Sequence, residues 1–136
     1  MSVRDLVFEA LCNDAQLNGY GFKRENIYPL MSRDSPPETI EGTVFMVLRW
    51  GTKEPGVGPV IPRLLDLWVY NRDPFYELLE NALIRARAIL APLPGSFANP
   101  GWVVGVEWQG AGPDGIDEAY RAYYLSENYR ITASGS

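Results

Sequence analysis

The chain has 136 residues, 46% of them hydrophobic, which suits one folded domain rather than a disordered segment. Its net charge is −5, with ten arginines but only two lysines, Lys23 and Lys53, and no basic run, so a nucleic-acid or anionic-membrane partner is not expected. There is no histidine and one cysteine, Cys12. Ser-His and Cys-His nucleophile pairs, His-containing metal sites and an internal disulfide are thereby excluded.

No apolar run approaches the roughly 20 residues of a membrane span, and the N-terminus carries acids where a signal peptide is apolar. A cytoplasmic setting is expected. Ser2 caps a first helix over about Val3–Asn13, with Val3, Leu6, Val7, Ala10 and Leu11 on one face. Cys12 lies beside that stripe and reads as a small apolar filler. Leu17-Asn18-Gly19-Tyr20-Gly21 reads as a turn, Asn26–Leu30 as a short strand and Ser32–Glu41, with Pro36-Pro37, as a loop.

Thr43–Trp50 is apolar on both faces and is expected to be central in a sheet. Gly51–Pro62, GTKEPGVGPVIP, has three prolines and three glycines in 12 residues. It lacks the Gly-Lys-Ser/Thr of a phosphate loop, and it joins two strands rather than a strand and a helix. We read it as a stiff, extended arm.

Arg63–Asn71 alternates Leu65, Leu67 and Val69 against Leu64, Asp66, Trp68 and Tyr70, the period of a strand. The period then becomes helical over Pro74–Ala91, with Asp73 the expected cap and Pro74 the first helical residue. Pro92 and Pro94-Gly95 stop the helix. Trp102–Gly110 is a further strand, Gly110–Asp117 a wide turn and Glu118–Leu125 the last long strand. Asn128–Ile131 continues it after an irregularity at Ser126-Glu127. Residues 1–131 form the expected single domain, and Thr132–Ser136 are expected to fray.

The order α-β-β-β-α-β-β predicts an α+β domain whose mainly antiparallel sheet has two helices on one face. That face takes the rows of Val44, Leu65, Trp102 and Tyr120. The other carries Phe45, Arg49, Trp68, Tyr70, Glu107, Arg121 and Tyr123, a mixture of aromatic and charged groups that suits a partner-binding surface. Chemistry is harder to find. Asp114, Asp117 and Glu118 are the one dense set of acids, and in a glycine-rich turn they read as solvated rather than catalytic or calcium-binding. No catalytic residue, metal ligand or cofactor is expected, and the protein does not read as an enzyme.

The stretch LLDLWVYNRDPFYELLENAL, running through Asp-Pro into a helix, and the later WQGAGPDGIDEAYRAYYLSENYRI resemble the tail terminator proteins of long-tailed, siphovirus-type bacteriophages. The resemblance is clearest over residues 63–131, and the arginine-for-lysine and Gly/Pro bias is similar to the actinobacteriophage branch. It implies a structural virion protein, a homo-oligomeric ring, usually of six subunits, on the head-proximal end of the tail tube. Such a ring stops tube polymerisation and joins the tail to the head connector. Its partners would be sister copies, the tail-tube protein and a head-completion or connector protein, with the genome passing through an acidic lumen. Assembly would occur in the host cytoplasm. On this reading Arg49, Trp50, Lys53, Glu54 and Arg63, at the arm and its roots, contact neighbours, with Tyr70, Arg121 and Tyr123 next. Two other classes fit the same pattern: another head–tail neck protein, and a small-molecule-binding α+β module with aromatics lining a pocket.

Overall fold

The computed structural model describes residues 2–29, 42–53, 60–95 and 103–134. Helices α1 (Val3–Cys12) and α2 (Ala15–Tyr20) precede strands β1 (Ile27–Tyr28), β2 (Val44–Lys53) and β3 (Val60–Asn71). Helix α3 (Tyr76–Leu90) is followed by β4 (Val103–Ala111), β5 (Gly115–Asp117) and β6 (Ala122–Ser134). The strands form one sheet in the order β1-β2-β3-β6-β4, with β5 pairing the start of β6. Among the described residues only β1 and β2 run parallel. The expected α+β class and mainly antiparallel sheet are therefore present in a single domain.

All three helices serve one face. Val3, Leu6, Val7 and Leu11 of α1, Leu17 of α2 and Leu79, Ala82, Ala86 and Leu90 of α3 join Met46, Leu48, Leu65, Leu67, Val69, Tyr129 and Ile131 in the main core. Fully burying each leucine contributes roughly 2 kcal/mol, so this layer carries most of the fold. Ser2 caps α1 as expected, in a reciprocal box with Asp5, whose backbone amide donates to the Ser2 hydroxyl at 3.1 Å.

Several local expectations are corrected. The Leu17–Gly21 segment is not a turn but most of α2. Asp14 caps it, accepting from the Leu17 amide at 2.9 Å. Gly21 ends it at φ 106°, where a Cβ would meet Val44 Cγ2 at 2.9 Å. Helix α3 starts two residues later than Pro74. Asp73 spends its amide on Asn71 Oδ1, and Phe75 sits at the cap position with no side-chain cap bond. Strand β2 is interior in the sheet order, as expected, although among the described residues β1 flanks it at Met46 and Val47 alone.

The last third differs most. The wide turn contains β5, and residues 118–121 form a turn instead of a strand. Strand β6 then runs through Ser126 and Glu127 without a break in its register to β3. The irregularities lie in β4, at Val103/Gly105 and Trp108/Gly110. Thr132–Ser134, expected to fray, pair with Val60–Pro62 at the end of β6. Of the arm, Gly51–Lys53 and Val60–Pro62 lengthen β2 and β3. The rest of it, with Leu30, the Ser32–Glu41 loop and Trp102, lies outside the described residues.

Candidate interaction surface

The second face of the sheet has two unlike ends. At one, Phe45, Val47, Tyr70 and Ala122 are buried, with Tyr28, Trp68, Tyr120 and Tyr124 packed against them. Phe45 and Tyr70 stack at 4.5 Å between ring centroids, and Tyr120 meets both edge-on at 5.5 and 5.3 Å. The 118–121 turn brings Tyr120 over this cluster and is pinned there by Arg72. Arg72 Nε donates to the Tyr120 carbonyl at 3.2 Å, its Nη1 donates to the Gly42 carbonyl, and its guanidinium lies 5.3 Å from the Phe45 ring centroid. What was expected to be a free aromatic face is at this end a second small core, closed by the chain itself.

The other end is polar. The rung Arg49–Asp66–Asn128 crosses β2, β3 and β6, and the rung Leu64–Arg130–Glu107 crosses β3, β6 and β4. Arg49 and Glu107 are exposed. Burial pushes the Asp66 carboxyl above its ordinary range, opposed by Arg49. This end matches the mixed surface expected from the sequence.

The eight expected contact residues scatter. Arg49 is on the polar end of the second face. Trp50 lies on the helix side, with Arg4 5.9 Å over its ring. Arg63 is also on the helix side and buried, and desolvation, with Arg4 nearby, holds its guanidinium below the usual arginine range. Lys53 is the Cα partner of Arg63 at the end of β2, and Glu54 lies outside the described residues. Tyr70 is only 6% exposed and belongs to the second core, so it has little surface left to offer. Tyr123 is on the helix side, edge-on to Tyr76 at 5.4 Å, and Tyr120 is on the face opposite the one expected. Arg121 is exposed in the turn with φ 55°, a left-handed conformation uncommon for its residue type. Among the six of them whose side chains are described, no single patch unites the set.

Sequence reasoning missed a group on the helix side at the β4 margin. Arg87 of α3 donates to Glu127 at 2.8 Å and lies 3.8 Å from the Trp108 ring centroid. The Tyr129 hydroxyl donates to the other Glu127 oxygen at 3.0 Å, and burial followed by the Glu127 charge raises the Tyr129 pKa. Trp108 stays 44% exposed and Val104 55%. The sequence signal was the Glu127–Tyr129 spacing, which puts both side chains on one face of a strand. Among the described residues no three acids or cysteines are placed to hold a metal ion, and no helix is long and apolar enough to cross a membrane.

The fold has a counterpart among solved structures. A chain from the virion of a native gene transfer agent particle aligns over 98% of this chain and 96% of its own, with a TM-score of 0.69 and 14% identity. At that identity the likeness is one of fold. No protein-family model matches the sequence, and no curated protein does.

Proposed function

We propose that this protein is a structural virion component. It forms a ring, six-membered by the family resemblance, that caps the head-proximal end of a phage-type tail tube and joins it to the head connector. The observation that carries this reading is the nearly end-to-end fold match to a chain from a gene transfer agent virion. The tail-terminator resemblance over residues 63–131 supplies the position in the particle. The role is architectural rather than catalytic: sister copies, the tube protein and a connector are the partners, and the genome passes through without specific binding. The acidic net charge suits that passage, because it repels phosphates.

Affinity capture against purified tail-tube protein and purified connector from the same genome tests the position. Binding to the tube end, with antibody-gold label at the neck of whole particles, is the expected outcome. Binding to the portal-side connector alone would move the protein to the head side of the neck. Label absent from particles would overturn the virion reading.

A further inference from the structure

Both margins of the sheet are open among the described residues, and they differ. Strand β4 pairs only with β6. Among the described residues β2 has a neighbour on its outer side at Met46 and Val47 alone, and none of them pairs with the outer side of Leu48–Lys53. An edge of this kind presents a row of backbone donors and acceptors suited to another strand. Because β2, β3, β6 and β4 alternate in direction, β4 runs antiparallel to β2. A sheet continued from one copy to the next, helices on the same side, therefore sets β4 against β2 in the antiparallel sense.

The side chains agree with this arrangement. Glu107 of β4 and Arg49 of β2 are both exposed and both lie on the face away from the helices. On the helix side, β4 carries the partly uncovered Trp108, whereas α1 stands over the β2 margin through Arg4 on Trp50. Each margin carries one arginine over a tryptophan, Arg87 of α3 over Trp108 and Arg4 of α1 over Trp50, and Trp108 is left 44% exposed. Bulges at Trp50/Lys53 in β2 and at Val103/Gly105 and Trp108/Gly110 in β4 keep the matching stretch short, which disfavours open-ended stacking.

We propose that the β4 edge of one copy docks antiparallel on the outer β2 edge of a second copy, with Glu107 facing Arg49 across the joint. The contact is head-to-tail, so repeating it closes a ring when the rotation between copies permits. It rests on the self-assembly reading above and adds to it which strands meet.

Charge reversal tests the joint. Arg49→Glu and Glu107→Arg each also set like charges opposite a cross-strand neighbour, Asp66 and Arg130, so circular dichroism and urea unfolding check that both variants fold. Sedimentation velocity over a concentration series is expected to show self-association weakened about tenfold or more in each variant alone. An equimolar mixture of the two restores it, because every joint then pairs opposite charges. A double variant, Arg49→Cys with Glu107→Cys, is expected to give on oxidation a covalent ladder longer than a dimer. Cys12 is buried and does not interfere. A wild type that associates, with no ladder and no rescue on mixing, overturns the joint and leaves the ring standing. A wild type that stays monomeric to about 1 mM, with no ladder either alone or in the presence of tail tubes, overturns both.

Discussion

Asp14 does two jobs that only the folded chain combines. It caps α2, and it receives Arg85 of α3 through two nitrogens, at 2.6 and 3.0 Å. The Arg85 hydrogen bonds are the main cause that holds its carboxyl below the ordinary range. A depressed carboxylate contributes stability that is present above the unfolded pKa, about 3.9, and is lost as pH falls through the folded value. Asp14→Asn keeps the cap and removes the charge, so it is expected to cost about 1 kcal/mol at pH 7 and almost nothing near pH 2 in urea unfolding. A penalty unchanged with pH would contradict the assignment of this stability to the Asp14 charge. Glu127 gives a second case. It is 6% exposed and held by Arg87 and Tyr129, so Arg87→Ala leaves a buried carboxylate poorly compensated. Because Arg87 itself is partly exposed, the expected loss is about 2 kcal/mol, less than a fully buried pair would show. Removing Glu127 as well should recover part of that loss in a double-mutant cycle. Neither ion pair is legible in the sequence: the partners are 71 and 40 residues apart, and no local periodicity links them.

At the scale of elements, legibility depends on whether apolar spacing is one-sided. The alternation Leu65-Leu67-Val69 and the 3.6 spacing of Leu79, Ala82, Ala86 and Leu90 place β3 and α3, because their opposite faces are more polar or less buried. Residues 120–125 resist the same reading. Tyr120, Tyr123, Tyr124 and Leu125 offer both faces apolar or aromatic groups, and a period of two does not say which row points inward. The deciding information lies downstream: Tyr129, Ile131 and Ala133 are core, and an unbroken β6 carries their parity back to Leu125 and Tyr123. An expected break at Ser126-Glu127 severs that link, which is why Tyr120 and Tyr123 exchange faces. The second core this creates has a measurable consequence. Phe45→Ala is expected to cost about 3–5 kcal/mol in chemical denaturation, whereas an aromatic on a free face would cost far less. The start of α3 provides the opposite sign. Phe75 is exposed, extended and offers no cap bond, so Phe75→Ser is expected to stabilise by about 0.5–1 kcal/mol. An unchanged melting midpoint would show that solvent already satisfies those amides.

Over the whole molecule, class and sheet type follow from the element order, while the surface available to partners does not. Composition indicates an aromatic-rich second face, but it carries no information that Arg72 and the 118–121 turn close one end of it. The assembly reading therefore rests on less of that face than the sequence suggests. It now relies on the polar end around Arg49 and Glu107 and on the strand margins β2 and β4. Arg49 remains a contact residue on this view, Tyr70 does not, and Glu107 joins it. The central claim is that this chain ends a tail tube, and polymerisation of the matching tube protein tests it most directly. Tubes grown with increasing amounts of this protein and measured by electron microscopy should become shorter and more uniform, with a ring of extra density at one end. Tubes of unchanged length with bare ends, at saturating protein, would contradict the claim.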